Sequence, residues 1–395
     1  MASSWRGVVL VAVVVPSACG PEIDATDPDA FVLAVRTSNR LELHSIDAQQ
    51  QRQLVPGPPF DPPIWTPDGR ELVIATSDGL LLHDVASDET RSATWDRRRV
   101  DQPALNSLGD RVVATYGDRD AQGVALIDLV TGDVQELSPA TSGDLAPRWS
   151  PRGDQLAFHR VFSEWIAEPT MAMLVDVGPE GAREPIRLTD TPEEDLQSEW
   201  VRWSYDGSWR LLAEGHPWHY HRLTATAETT EIVVVDGEGI AHLAMSPSAN
   251  RLFLAVDLGG STYDFRESLH DLDTGTTIVF PDDHGAAFWE ASSWSPSRDE
   301  IAYASRTASG VVIRLLDLPS GLSQELARLA DDDQCYALSF SPDGESIAAS
   351  LQRFDPEVAR LVVVDRANRD VDSVLERAND KFLRLAWRPH THTTE

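Results

Sequence analysis

One short pattern governs what this chain can fold into: a bulky apolar residue, a tight turn rich in Pro, Asp and Gly, and a short apolar strand. It occurs as WTPDGRELVIAT at Trp65, LNSLGDRVVATY at Leu105, WSPRGDQLAFHR at Trp149 and WSYDGSWRLLAE at Trp203. It returns as MSPSANRLFLAV at Met245, WSPSRDEIAYAS at Trp294, FSPDGESIAAS at Phe340 and a truncated WRPH at Trp387. Successive anchors lie 40 to 54 residues apart, which suits one four-stranded propeller blade. After each turn comes an apolar strand, then one ending near an Asp (LLLHDVA, VALIDLVTG, RLVVVDRA), then a shorter one (VQELS, PIRLT). The repeat is therefore four strands, A to D. The anchor closes strand A, and the Asp-Gly turn supplies the positive φ that a tight turn needs.

Phase sets how the ring closes. Residues 31–55 fit strands B, C and D without an A, and residues 381–390 fit an A without the rest. Joining them completes one blade from both termini and removes the exposed edges of an open ring. The expected fold is all-β, a β-propeller of eight four-stranded blades. Seven blades is the alternative, if the weakly marked repeat at Leu105 merges with a neighbour. Segments 321–333 and 370–380 have helix-like composition and spacing; repeat phase makes them strand D and the loop leaving it.

The motif Trp-Ser-Pro-Asp-Gly followed by Ile-Ala-Phe is that of the TolB-type, WD-like β-propeller repeats. The chain resembles that family over about residues 31–389, most closely at Trp65, Trp149, Trp294 and Phe340. The resemblance implies the propeller and not TolB's own role. TolB has an α/β domain ahead of its propeller, whereas a leader and a tether are read here before residue 31. No Gly-x-Ser-x-Gly elbow and no phosphate-binding Gly-rich loop occurs.

The first residues, MASSWRGVVLVAVVVPSACGPEI, place Arg6 ahead of the apolar run Val8–Val15, shorter than the roughly 20 residues of a membrane span. A charged start, a short apolar run and small residues describe a secretory leader. PSAC resembles a bacterial lipobox, with Pro16 where that family has Leu, and implies cleavage before Cys19 and its lipidation. An ordinary leader cut nearby is the alternative. The organisation is then leader 1–19, tether 20–30, propeller 31–390 and tail 391–395. The expected location is exported, in the periplasm or at the outer membrane or cell surface as a lipoprotein. The other cysteine, Cys335, reads as a small buried hydrophobe.

With 64 acidic and 33 basic residues the formal charge is −31. Such a surface repels phosphate backbones, so nucleic acid is excluded as a partner. A protein or cell-envelope component is expected instead, with the membrane met only through the lipid anchor and the chain a monomer.

The A–B turns are minimal and most C–D turns are short, so the long insertions fall in the B–C and D–A connections, on the opposite face. B–C insertions are read at 162–169, 214–221, 257–267 and 353–358, and D–A insertions at 95–102, 189–200 and 281–291. The aromatics Trp165, Trp218, Tyr220, Tyr263 and Trp289 on them form the expected binding face. Capping a blade end is the plainer role for any single one. The sharpest cluster is EGHPWHYH (214–221): on a strand, His219 and His221 share a face and can hold a divalent metal, with His216 or Glu214 completing the set. A polar, aromatic-rich loop is the plainer reading, because no zinc-type signature is present. His44, His83 and His270 recur at one place in strand C and mark a blade position. DRDAQG (118–123) begins like a calcium loop, but phase makes it a B–C hairpin. The expected function is a non-enzymatic binding or scaffold protein of the cell envelope, with no catalytic residue assigned and no cofactor beyond that possible metal. The alternative is a metal-dependent propeller lyase or hydrolase acting on polysaccharide.

Overall fold

The computed structural model describes residues 32–389 except 38–39, 46–50, 57–60, 62, 94–98, 119–120, 142, 162–169, 188–200, 215–217, 225–228, 236–238, 258–264, 281–291, 308–309, 330–333, 355–356 and 379–381. Every regular element among them is a β-strand, and the strands form eight antiparallel sheets. Blade 1 is built from both ends of the chain: β1 (Leu33–Thr37), β2 (Arg40–His44) and β3 (Gln51–Pro56) pair with the last strand, β33 (Phe382–Trp387). Blade 2 is β4 (Ile64–Trp65), β5 (Glu71–Thr76), β6 (Gly79–Asp84) and β7 (Glu89–Ser92). Blade 3 is β8 (Val100–Leu105), β9 (Arg111–Asp118), β10 (Ala121–Asp128) and β11 (Val134–Glu136). Blade 4 is β12 (Asp144–Trp149), β13 (Gln155–Val161) and β14 (Thr170–Gly178), edged by the short β15 (Gly181–Ala182) and β16 (Ile186–Arg187).

Blade 5 is β17 (Val201–Trp203), β18 (Trp209–Glu214), β19 (Trp218–Thr224) and β20 (Thr229–Val235). Blade 6 is β21 (Gly239–Met245), β22 (Arg251–Asp257), β23 (Phe265–Asp271) and β24 (Thr276–Val279). Blade 7 is β25 (Ser292–Trp294), β26 (Glu300–Thr307), β27 (Gly310–Asp317) and β28 (Leu322–Arg328). Blade 8 is β29 (Gln334–Phe340), β30 (Ser346–Phe354), β31 (Glu357–Asp365) and β32 (Val371–Ala378). The fold is a β-propeller of eight blades, and the weakly marked repeat at Leu105 is a complete blade. β28 and β32 are strands, so repeat phase prevails over their helix-like composition: ladder pairing to the neighbouring strand C decides the element whatever the local propensity.

Blades pack face to face through alternating apolar residues. Ala34, Leu41 and Leu43 of blade 1 meet Trp65, Leu72 and Ile74 of blade 2. Leu33 and Val35, on the other face of the same strand, meet Ala348, Leu361 and Val363 of blade 8, which closes the ring. Cys335 lies buried in the cluster between blades 7 and 8.

The anchors stitch neighbouring blades. The indole N–H of Trp65 donates to the carbonyl of Ala386 (3.0 Å), Trp149 to Ala104 (2.9 Å), Trp294 to Ala244 (3.3 Å) and Trp387 to Ser339 (2.9 Å). In each case the acceptor is the residue just before the preceding blade's anchor. The turns interlock in the same direction. Gly69 has φ 66°, and a Cβ there would lie 2.8 Å from the carbonyl oxygen of Pro389; at Gly109 (φ 79°) it would lie 2.5 Å from Cδ of Pro67. The residue after the anchor organises each turn: Thr66 Oγ1 accepts from Glu71 N (3.0 Å) and donates to Asp68 Oδ1 (2.6 Å), and Ser341 repeats both contacts. The A–B face is thereby a closed ring of turns.

Two loop assignments change. RFDPEV (353–358) is no insertion, because β30 runs to Phe354 and β31 starts at Glu357. EGHPWHYH is largely strand, with Glu214 ending β18 and Trp218–His221 opening β19. His44, His83 and His270 are buried at one ladder position, opposite Leu33, Leu72 and Leu252, as the repeat requires. Asp118 and Ala121 close a B–C hairpin.

The latch carries a buried ion cluster. Glu42 on β2 is reached by Arg377 Nη2 of blade 8 (2.8 Å), His44 Nε2 (3.1 Å) and Arg40 Nε (2.9 Å). Burial pushes the Glu42 carboxyl up, but hydrogen bonds from His44 and Arg377 outweigh it and hold the group below its usual range. A depressed carboxylate pKa contributes stability above the unfolded value and loses it as pH falls. Wild type should therefore lose stability relative to Glu42→Gln as pH drops below about 4.5, and parallel urea midpoints from pH 7 to 3 check this. Trp387 separates packing from stitching. Trp387→Phe should cost about 1 kcal/mol for the hydrogen bond, and Trp387→Ala about 3–5 kcal/mol, both read from urea unfolding.

Candidate functional site

Ladder pairing defines equivalent positions in all eight blades, and the departures from the repeat gather in one place. The partner of the anchor on strand B is Leu33, Leu72, Val112, Leu156, Leu252, Ile301 or Ile347, but in blade 5 it is Arg210. Three residues further along strand B stand Ala75, Thr115, Ala213, Ala255, Ala304 and Ser350; blade 4 has His159 and blade 1 has Arg36. Just before the anchor stand Ala104, Ala244, Ala386, Ser293, Ser339 or Ile64; adjacent blades 4 and 5 have Arg148 and Arg202. First strands of neighbouring blades pack on one another, so this last position belongs to the inner wall around the axis.

The stitch is dropped at this interface. Trp203 is buried, yet its indole N–H has no hydrogen-bond partner. A buried donor left unmade costs about 1–3 kcal/mol. Over its ring lies the guanidinium of Arg210, 4.7 Å from the centroid. Arg210 is itself buried, and its Nη2 donates to Gln155 Oε1 (3.2 Å).

Charges here act on one another. Burial, then the charges of Arg202 and Arg148, push the His159 imidazole down to about 4. Burial, then Arg148, lowers Arg202 to about 10. Arg148 is lowered by burial, with Asp61 opposing; Arg36 is lowered by burial against the same Asp61. Asp61 lies in the connection from blade 1 to blade 2 and Arg148 in blade 4, so the groups face one another across the inner wall. Asp61 is fixed by a relay: its Oδ2 accepts from Gln102 N (2.5 Å), and Gln102 Oε1 accepts from Ala146 N (2.6 Å). Gln102 and Ala146 occupy the same place three residues before their anchors. Both sit in β-bulges with left-handed backbones (φ 50° and 51°), a conformation that non-glycine residues avoid.

Beside them, Asp144 is fully buried and gripped by Arg160 through two 2.9 Å bonds. On blade 6, Glu267 stands on strand C where the ladder puts Leu41, Leu80, Val124, Ala172, Tyr220, Ile313 or Leu361 in other blades. Its burial pushes the carboxyl up to about 8, and Oε2 has no hydrogen-bond partner. The arrangement can bind and orient a charged group near the axis and hold neutral an imidazole and a carboxylic acid beside it.

Of the residues expected from sequence, Trp165, Tyr263, Trp289, His216 and Cys19 lie outside the described residues. The structure places Trp218, His219, Tyr220 and His221 on β19. Positions 219 and 221 fall on one face of that strand and 218 and 220 on the other. Among the described residues no group of three or more His, Cys, Asp or Glu could hold a metal. Arg36, Arg148, Arg202, His159, Arg210 and Glu267 were not expected. The signal lay in reading the aligned repeats column by column, where each breaks a column of small or apolar residues.

No family model and no curated protein matches the chain. Solved structures do. A dihydro-heme d1 dehydrogenase, NirN, in complex with DHE is 16% identical with a TM-score of 0.62, over 93% of this chain and 76% of that one. An oligogalacturonate lyase from Vibrio parahaemolyticus is 15% identical with a TM-score of 0.55, over 76% of this chain and 93% of that one. Both likenesses show the propeller fold alone. TolB from Acinetobacter baumannii is 15% identical over 77% of this chain and 82% of that one, at a TM-score of 0.41 that carries no argument. Among the described residues no helix is long and apolar enough to cross a membrane.

A lowered histidine pKa gives stability that is complete above about 6.5 and is lost as pH falls toward 4. NMR titration of His159 should show a neutral imidazole down to about pH 5, and Arg202→Gln should raise its midpoint. A wild-type midpoint near 6.5 would place the imidazole in water instead.

Proposed function

We propose that the chain is an exported, lipid-anchored propeller that binds a protein or other cell-envelope component on its long-loop face, at the axis beside blades 4 and 5. What carries this reading is the interface of blades 4 and 5, where Arg148, Arg202 and Arg210 break the repeat and the buried Trp203 donor is unmet, while the opposite face carries short interlocking turns. Local rules broken together, with a buried donor left unmade and two strained backbones nearby, are what a binding site costs a scaffold. Loops on a rigid frame supply the adaptable part.

The competing reading is a metal-dependent lyase or hydrolase of polysaccharide. In its favour stands the placement of positions 219 and 221 on one face of β19, in the same departing blade.

One experiment addresses both. Immobilised wild type should capture a component of envelope extract, the triple variant Trp165→Ala, Trp218→Ala, Trp289→Ala should lose it, and Arg152→Ala on the turn face should keep it. Unchanged capture by the triple variant would contradict the face. Stoichiometric metal in purified protein, lost in His219→Ala/His221→Ala together with polysaccharide cleavage, would establish the enzyme instead.

A further inference from the structure

On the inner wall, one repeat position in two adjacent blades carries a sign opposite to the net charge of the molecule. The chain as a whole is at −31, yet the position before the anchor, small or apolar in six blades, is Arg in two adjacent ones. A third guanidinium, Arg36, stands where strand B elsewhere carries Ala, Thr, Ser or His. Adjacent like charges on a partly buried wall repel, and each has been taken from water. Burial lowers the pKa of all three guanidiniums, and the charge of Arg148 lowers that of Arg202 further. Ala, Ser or Ile at the position before the anchor closes the other blades, so the arginines of blades 4 and 5 are not needed for the repeat itself. A small anion set between the guanidiniums would reverse the repulsion and form charge-assisted, planar hydrogen bonds that arginine suits better than lysine.

A second, independent observation lies at the same interface. Trp203 is 8% exposed and its N–H is left without an acceptor, where Trp65, Trp149, Trp294 and Trp387 each find one. Asp61, whose charge opposes the lowering at Arg36 and Arg148, is held by the backbone N–H of Gln102.

We propose that Arg148 and Arg202, with Arg36 flanking, are the recognition site for an anionic group of the ligand, a carboxylate or a phosphate, presented to the axis from the long-loop face. This rests on the proposed binding function and names the chemistry of its ligand. The acidic exterior then acts as a filter: it repels polyanions at a distance, and the axial arginines accept a single anionic end that enters between the loops.

Thermal unfolding and calorimetry of the full chain with citrate and with inorganic phosphate, each against sodium chloride of equal ionic strength, test the idea. At least one anion should raise the wild-type midpoint, and which one does so names carboxylate or phosphate as the source. Arg148→Gln/Arg202→Gln should bind that anion about tenfold more weakly or worse, the scale of one lost charge-assisted bond. Arg148→Lys/Arg202→Lys should retain part of the response and Arg70→Gln, on the turn face, all of it. The Lys pair also guards against a folding defect in the Gln pair. No response of wild type to either anion, or an unaltered response in the Gln pair, would overturn the proposal. Loss of envelope capture in the triple Trp variant alongside an unaltered anion response in the Gln pair would overturn this inference alone. Unchanged capture by the triple variant would remove the binding face beneath it.

Discussion

The hydrogen bond from an anchor indole to the carbonyl before the preceding anchor is the contact from which the ring can be built. It spans 45 residues between Trp149 and Ala104 and 321 between Trp65 and Ala386. The same short reach therefore joins consecutive blades and both ends of the chain. Apolar packing between blades supplies most of the stabilisation but has no direction. The indole bond has direction, and it fixes how far each inner strand stands from the next. The A–B turns of neighbouring blades also touch, as Gly69 does Pro389 and Gly109 does Pro67.

Where a tryptophan anchor leaves that contact unmade, the molecule changes character. Between blades 4 and 5 the Trp203 indole makes no bond, a guanidinium lies over its ring, and arginines take positions that are small or apolar elsewhere. The neighbouring inner strands of blades 3 and 4 hold left-handed backbones at Gln102, whose N–H donates to Asp61, and at Ala146, whose N–H donates to the Gln102 side chain. Strain, desolvated charge and an unmet donor all lower stability. Under the proposed binding function, ligand recognition accounts for their gathering along blades 3 to 5.

Much of the fold was legible because a propeller repeats. Eight anchors in phase determine eight blades, and the phase of the first and last segments determines the latch of β1 with β33. The pull of helical composition at β28 and β32 gave way to pairing for the same reason. The site was less legible. Loop lengths single out the face on which binding is proposed, yet loop length does not say which blade matters. Attention to the aromatic loops led away from Arg148 and Arg202, which stand beside the anchors inside the motif itself. Conformity to the motif marks scaffold, and the informative residues are the ones that break it: Arg210 for Leu, His159 for Ala, Glu267 for an apolar neighbour. Burial and mutual electrostatics gave those breaks their meaning, and both depend on distances between blades that no local sequence pattern encodes.

The most direct measurement of the central claim is a crystal structure of the full chain soaked in selenate, whose anomalous scattering locates a bound tetrahedral anion without ambiguity. The account predicts a selenium peak at the long-loop end of the axis, within hydrogen-bond reach of the Arg148 and Arg202 guanidiniums. An empty axis, with selenium only on exposed arginines of the turn face such as Arg70, would contradict it.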